Sequence, residues 1–179
     1  MKDWNVVVTV PEHVYNESRG FLRKLADVSG TGFYNVLTMD VPDIRWFLDR
    51  LADRIEAEPG AAELVSHVAP AQHAFEFHSP EEFEDQLISA ASRWLPQLAG
   101  RSFHVRMHRR GLKGRLDSRQ EEQMLGRWLM DELEVRGNPG RIDFEDPDMI
   151  VAVDTVHQRA GVSLWTREEL QRFPFLDPE

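Results

Sequence analysis

The sequence lacks cysteine and long apolar runs. With no cysteine among its 179 residues, disulfides, zinc ribbons and iron–sulfur clusters are excluded, and a reducing cytosol fits this composition. The opening residues, MKDWNVVVTVPEH, contain too short an apolar run for a signal peptide. No segment approaches the roughly 20 apolar residues of a membrane helix. We therefore expect a soluble, cytoplasmic protein without a membrane partner.

Signatures of several enzyme classes are also missing. The sequence has no G-x-S-x-G nucleophile motif, no P-loop and no G-x-G-x-x-G dinucleotide motif. Gly111 and Gly114 lie between a predicted strand and a predicted helix, but no Lys-Ser or Lys-Thr pair follows them to hold a nucleotide. These absences favour a protein without catalytic activity.

Metal-ligating residues occur without the spacing of a typical metal site. His67, His73 and His78 are six and five residues apart, with Glu76 among them. These intervals match neither a helical pair nor the alternation of a strand. The acidic residues of 143–148 surround a proline, and turn formation explains most of them. We expect no metal or other cofactor, with a small metal-dependent enzyme as an alternative.

Charge is distributed unevenly along the chain. Acidic residues outnumber basic ones by 31 to 21, for a net charge of -10. Residues 101–119, the basic window, contain seven Lys or Arg against one Asp, so the window carries about +6 and the other 160 residues about -16. Protection of an exposed strand edge usually needs only one or two such charges. A basic patch of this size favours binding of phosphate or nucleic acid.

The basic window covers the end of a strand, a loop with two glycines and the start of a helix. Alternation along strand 102–109 places Phe103, Val105 and Met107 on the buried face, so the residues between them are expected to be exposed. A capping box from Ser118 to Glu121 opens the helix, whose free N–H groups favour an anion. The predicted binding residues are His104, Arg106, His108, Arg109, Arg110, Lys113, Arg115 and Arg119.

Two domains of α+β class are predicted. In the first, residues 1–78, strands at 4–10 and 33–41 alternate with helices at 15–28 and from Pro42 to Glu58, followed by extended pieces around 64–68 and 74–77. This order predicts a ferredoxin-like α/β sandwich. In the second, residues 79–179, the predicted order is helix, strand, helix and then three strands, RIDFED, MIVAVDTV and GVSLWT.

Several motifs of the second domain follow one another in a recognisable order. Phe-x-Val-Arg at 103–106 and Arg-Arg-Gly at 109–111 are followed by Ser118, which opens a helix containing Gly126. Ile-Asp-Phe-Glu-Asp-Pro-Asp at 142–148 then precedes a strand. In order and spacing, these motifs resemble the THUMP domain, whose members carry a similar V-D-L-x-x-P-D stretch before a strand.

The resemblance covers roughly residues 79–170. The first 78 residues resemble, more weakly, the ferredoxin-like domain that usually precedes a THUMP domain, and WNVVVT resembles the opening of the acetylation-adaptor branch. THUMP domains occur in tRNA-modifying 4-thiouridine synthetases, methyltransferases, pseudouridine synthases and the adaptor proteins of tRNA cytidine acetyltransferases. The resemblance therefore implies a ferredoxin-like domain followed by a THUMP domain.

The resemblance also implies a function. It implies binding of tRNA at the acceptor stem and single-stranded 3′ end, with Arg106, Arg109 and Arg110 at the matching positions. Enzymes of this group keep catalysis in a further domain, for which this chain leaves no room, so we expect a non-catalytic adaptor that presents tRNA to a separate modifying enzyme. The net negative charge departs from this expectation, because most of the surface should repel RNA.

A protein-interaction module that does not bind RNA is the alternative. Trp46 and Trp94 on predicted helices and the apolar tail at 173–176 are candidates for partner contact. Packing of the tail against the body of the protein is the simpler explanation for its apolar residues.

Overall fold

The structure is a computed structural model that describes residues 2–179. The strands are β1 (Val6–Thr9), β2 (Asp27–Gly30), β3 (Val36–Asp40), β4 (His67–Pro70), β5 (His73–Glu76), β6 (Ser102–Arg110), β7 (Arg141–Ile142), β8 (Met149–Val156) and β9 (Arg159–Thr166). The helices are α1 (Tyr15–Arg23), α2 (Ile44–Ala57), α3 (Pro80–Ala91), α4 (Leu95–Leu98), α5 (Ser118–Val135) and α6 (Arg167–Arg172). Within the described range, no helix has the length and apolar character needed to cross a membrane.

The chain forms two compact units. One extends to Gln72 and includes Leu170–Pro178, and the other comprises His73–Glu169 together with Glu179. This division differs from the predicted boundary after residue 78 because β5 pairs with β9 of the second sheet. It differs again at the tail, where Leu170–Pro178 belongs to the first unit although the sequence analysis assigns it to the second domain.

The first unit has the ferredoxin-like order β-α-β-β-α-β. Its sheet has the strand order β2-β3-β1-β4, and every pairing is antiparallel. The central strand, β1, is a β-branched run whose Val6 and Val8 are fully buried, as expected of a strand with neighbours on both sides. The spacing of Phe47, Leu48 and Leu51 predicts that they share one face of α2, and in the structure they form its buried stripe.

Two predictions for the first unit are wrong. The helix predicted over 15–28 ends at Arg23, and Val28 lies instead in β2, opposite Met39 of β3. Strand pairing with β3 therefore determines the conformation of a segment whose local spacing also suits a helix. The alternation of apolar and polar residues over 33–41 also predicts a half-buried strand, but β3 is buried from Val36 to Met39, because it is an inner strand of the sheet.

The second unit is built on a mixed sheet with the order β5-β9-β8-β6-β7. Strand β6 runs parallel to both β7 and β8, whereas β9 is antiparallel to β8 and β5. Helices α3 and α5 pack their apolar side chains against the odd-numbered residues of β6 in one core. The α+β class is as predicted from the sequence, and α3, β6, α5, β7, β8 and β9 follow the predicted order of helix, strand, helix and three strands.

Caps define where the helices of the second unit begin. The sequence Ser79-Pro80-Glu81-Glu82 predicts a capped helix start for α3, and the Ser79 hydroxyl accepts a hydrogen bond from the Glu82 N–H at 3.1 Å. Helix α5 is capped one residue earlier than predicted, because the Asp117 carboxylate accepts from the Gln120 N–H at 2.9 Å. Ser118 is therefore the first helical residue of α5 and not its cap.

The RIDFED segment forms a strand only over Arg141–Ile142. The Asp143 carboxylate then accepts hydrogen bonds from the backbone N–H groups of Glu145 and Asp146, both at 3.0 Å. This turn ends β7 early, and it leaves the next side chain, Phe144, exposed.

Candidate nucleic-acid interface

The face of β6 that was predicted to be exposed is covered at His104. The His104 residue is only 2% exposed. Its Nδ1 lies 2.9 Å from the carbonyl oxygen of Asp143, and its Nε2 lies 2.8 Å from Oε1 of Glu179. The prediction that His104 faces solvent is therefore wrong, because both faces of the sheet are buried at this position.

Arg110 and His108 both lie beside the carboxylate of Asp154. Nη1 of Arg110 donates to Oδ1 of Asp154 at 2.7 Å, and Nδ1 of His108 lies 3.7 Å from the same oxygen. The Asp154 side chain is 6% exposed and that of Arg110 is 14% exposed. Nε of Arg106 lies 3.7 Å from Oε2 of Glu179. Together with His104, these three predicted residues lie beside carboxylates of the chain itself.

The remaining predicted cations lie on the surface in one stretch of chain. Lys113, Arg115 and Arg119 are exposed, and Arg109 is half-buried with its guanidinium donating to the carbonyl oxygen of Gly111. Nη2 of Arg115 donates to the carbonyl oxygen of His78 at 3.2 Å. We refer to Arg109, Lys113, Arg115 and Arg119 as the basic surface.

The loop between β6 and α5 has a fixed course. Gly111, Leu112 and Gly114 all have positive φ angles, of 93°, 58° and 80°, so the chain turns tightly between strand and helix. Leu116 is buried and anchors the loop in the core. The exposed side chains of Lys113 and Arg115 therefore extend from a loop whose backbone is held at both ends.

A groove of about 690 Å³ lies beside the basic surface. One wall is a stripe of α5 at helical spacing, formed by Arg119, Glu122, Gln123, Gly126, Arg127 and Met130. The other side consists of His104 and Val105 of β6 with Ile142 and Phe144. Arg119 belongs to both features, so the groove continues the basic surface along α5.

The acidic motif at 143–148 has a structural role. The Asp148 carboxylate accepts from the Ser102 N–H at 3.0 Å, while the Ser102 hydroxyl accepts from the Asp148 N–H at 2.9 Å. The hydrogen bond from the Ser102 backbone holds the pKa of Asp148 below its usual value. Hydrogen bonds from the Asp146 and Glu145 backbones likewise lower the pKa of Asp143. These contacts join the starts of β6 and β8.

The histidines considered as metal ligands lie in other contacts. His78 Nδ1 lies 3.3 Å from Oε2 of Glu82, and His73 Nε2 lies 2.8 Å from Nη1 of Arg93. Burial and the charge of Arg93 lower the pKa of His73. Over residues 2–179, no three His, Asp or Glu side chains lie together as a metal site would need.

The candidates for protein contact differ in exposure. Trp46 on α2 is 43% exposed, whereas Trp94 is buried. Phe173 and Leu176 of the tail are also buried. The tail residues therefore contribute to packing, and Trp46 is the exposed aromatic residue of this set.

Comparison with solved structures identifies similar folds. The chain is similar to PH1313 from Pyrococcus horikoshii, with a TM-score of 0.58 and 11% identity over 92% of this chain and 55% of that one. It is also similar to a 4-thiouridine synthetase solved as an RNA complex with bound ATP, with a TM-score of 0.57 and 14% identity over 91% of this chain and 41% of that one. The chain has a ferredoxin-like and THUMP-like fold.

A third solved structure is similar over about the same part of this chain. TrmN from Thermus thermophilus matches with a TM-score of 0.52 and 19% identity over 90% of this chain and 44% of that one. The THUMP-like chain thus spans about half the length of the structures that it matches. No family model and no curated protein sequence matches it.

The groove of the THUMP-like unit was not predicted from the sequence. Arg127 lies outside the basic window, and Phe144 was assigned to a strand that ends before it. The spacing of Arg119, Gln123 and Arg127, each four residues from the next, is a signal that was present in the sequence. It places the three side chains on one face of α5.

Proposed function

We propose that this chain binds tRNA through the basic surface, recognises the acceptor stem and single-stranded 3′ end, and presents the tRNA to a separate modifying enzyme. The observation that carries the proposal is the clustering of Lys113, Arg115 and Arg119 on the surface of a chain with a net charge of -10. In this proposal the chain is not itself catalytic, and the chemistry belongs to the partner enzyme.

The chemistry of these side chains supports the proposal. Arginine binds phosphate through a planar fork of N–H donors and also stacks on bases. Arg119 lies in the first turn of α5, where the helix dipole disfavours a cation by a few tenths of a kcal/mol. A bound phosphate would reverse that cost, because it interacts with both the guanidinium and the free N–H groups of the helix start. The likeness to a synthetase solved with RNA is a further support.

The proposal is tested by titrating fluorescent tRNA with the protein at several salt concentrations, beside the same tRNA without its 3′ end. Each phosphate contact on a single strand contributes about -0.7 to the slope of log K against log salt. We expect a slope of about -2 to -4 and a loss of affinity on trimming. An absence of binding at low salt contradicts direct RNA recognition by this chain.

A double variant assigns the binding to the basic surface. Lys113→Ala with Arg115→Ala is expected to weaken binding to all tRNAs about equally, because phosphate contacts carry no sequence information. Arg136→Ala is the control, since Arg136 is exposed and lies just after the other end of α5. Equal affinities of the double variant and the control would exclude the basic surface as the contact.

Exposed Trp46 favours a second candidate, a module that contacts a protein without RNA. It predicts that Trp46→Ala abolishes co-purification of a partner while tRNA binding is absent throughout. A metal-dependent enzyme is distinguished from both by thermal-shift measurements with zinc, manganese and magnesium. A large shift with one metal would favour the enzyme.

A further inference from the structure

Phe144 presents an aromatic ring at the mouth of the groove. The residue is 73% exposed, although a large apolar side chain in a turn gains stability when it is buried. Its ring centroid lies 5.4 Å from that of His104, with the planes inclined at 37°. Both nitrogens of His104 are in close polar contact, Nδ1 with the Asp143 carbonyl oxygen and Nε2 with the Glu179 carboxylate, and these contacts fix the orientation of that supporting ring. Phe144 is therefore supported from behind by His104 and lines the groove.

Cationic side chains lie along the wall of the groove that α5 forms. Arg119 and Arg127 line the groove, are exposed, and lie eight residues apart on α5, about 12 Å along the helix axis. Gln123 lies between them, and its amide carries both donors and an acceptor. This wall suits a ligand that has a phosphate at either end and a polar group between.

The open edge of β6 adds backbone hydrogen-bonding groups. Strand β7 pairs with β6 only at Ser102 and Phe103. The Phe103 carbonyl oxygen accepts a hydrogen bond from the Asp143 N–H, and the Met107 N–H donates to the Glu122 carboxylate. The odd-numbered residues of β6 therefore direct their N–H and C=O groups to the edge of the strand that β7 leaves open. By strand alternation Val105 does the same. Its N–H and C=O therefore lie at the floor of the groove.

Gly126 leaves space between α5 and the rest of the groove. A Cβ atom added there would approach only the Cδ1 atom of Ile142, at 3.9 Å. Because a longer side chain would project into the groove, glycine at this helical position keeps the groove open.

We infer that the groove binds one unstacked nucleotide of single-stranded RNA. The base stacks on Phe144, its hydrogen-bonding edge meets the Val105 peptide group, and Arg119 and Arg127 contact the flanking phosphates. This subsite rests on the proposed RNA-binding function and adds to it a contact with a base, whereas the basic surface contacts phosphate only. An aromatic platform combined with cations is the combination by which proteins bind single strands.

The test combines variants of Phe144 with RNA that lacks one base. Short single-stranded RNAs, each abasic at one position, are titrated against the wild type and against Phe144→Leu, which keeps apolar bulk without an aromatic face. We expect one abasic position to weaken wild-type binding by roughly 5- to 150-fold, the range for one stacked base. The same position should have little further effect in Phe144→Leu, and Phe144→Trp should restore it.

Each proposal fails in a different way. If the wild type binds no RNA, the proposed function fails and the subsite with it. A second outcome is that the wild type binds RNA and Lys113→Ala/Arg115→Ala weakens this binding, while Phe144→Leu and every abasic RNA show unchanged affinity. In that case only the subsite is wrong, and the open edge of β6 would instead suit an extended peptide. Gly126→Met should weaken binding of intact RNA but not of the abasic RNA, with Gly126→Ala as the matched control. Thermal unfolding of each variant verifies that it is folded.

Discussion

Arg110 and Lys113 carry the same charge three residues apart but have different roles. The Arg110 guanidinium pairs with Asp154, which is buried, whereas Lys113 is exposed on the loop. A buried carboxylate that loses a partner keeps its desolvation cost. The structure therefore separates a cation that pairs with a buried carboxylate from one that is exposed to solvent.

Arg110→Ala is expected to lower the free energy of unfolding by about 3 kcal/mol, because it removes the guanidinium that lies 2.7 Å from the buried Asp154 carboxylate. Lys113→Ala removes the same charge and should change stability by no more than about 0.5 kcal/mol. Urea denaturation of both variants measures the difference. Equal stabilities would contradict the structural role of Arg110.

Glu121 is a buried acid on α5. Burial and the nearby carboxylates of Glu84 and Asp117 raise the pKa of Glu121 from 4.5 to about 7. Its Oε2 atom accepts no hydrogen bond from the residues that the structure describes. In the pH range between these two pKa values the folded protein binds more protons than the unfolded chain, so stability decreases as pH rises.

We expect the free energy of unfolding of the wild type to fall between pH 4.5 and about 7 through this group and to lose nothing more from it at higher pH. Glu121→Gln removes the titration, so the variant should be more stable than the wild type at pH 8 by about 3 kcal/mol. Urea denaturation at pH 5 and pH 8 provides the measurement. A stability difference that is the same at both pH values would show that Glu121 does not titrate in this range.

At the scale of the element, an added methyl group is expected to change the stability of the protein in opposite directions at two glycines of the second unit. Gly126→Ala should stabilise the protein by up to about 1 kcal/mol, because alanine favours the helix and the site has room. At Gly140 the added Cβ would lie 2.9 Å from Cδ1 of Leu133 and 3.0 Å from Cε1 of Phe103, so Gly140→Ala should cost about 1–3 kcal/mol. Thermal unfolding compares them. Two changes of the same sign would contradict the space described around one of these two glycines.

Helices with both a cap and a clear apolar stripe were predictable from sequence. Helix α3 has Ser79 and Pro80 at its start, and local chemistry alone determines such a start. Strand β2 was not predictable, because Asp27–Gly30 takes its conformation from pairing with β3, which is a tertiary contact. Alternation separated the two faces of β6 correctly, but it contains no information about whether the polar face is covered as well. For that reason the burial of His104 could not be predicted.

At the scale of the whole molecule, the acidic residues oppose the RNA binding that we propose for the basic surface. Outside the basic window the chain carries about -16. The Debye length is about 10 Å at 0.1 M salt and about 30 Å at 0.01 M. At low salt the acidic body therefore repels RNA over a long distance, and at higher salt only the direct contacts matter.

We expect a plot of log K against log salt for tRNA to bend, with a shallower slope below about 0.03 M than above it, because repulsion by the body grows as screening falls. Lys113→Ala/Arg115→Ala should reduce the slope above the bend and leave the bend in place. A straight line over the whole range would contradict long-range repulsion by the acidic residues.

The first unit contains two separate segments of the chain, and the second is continuous apart from Glu179. During synthesis on the ribosome, the sheet and helices of the second unit emerge before Phe173 and Leu176, which are buried members of the first unit. Domains usually complete their folding in the order of their synthesis. In this protein the order is reversed: the ferredoxin-like unit begins first and finishes last, so a nascent chain stalled near residue 169 would carry an incomplete ferredoxin-like unit.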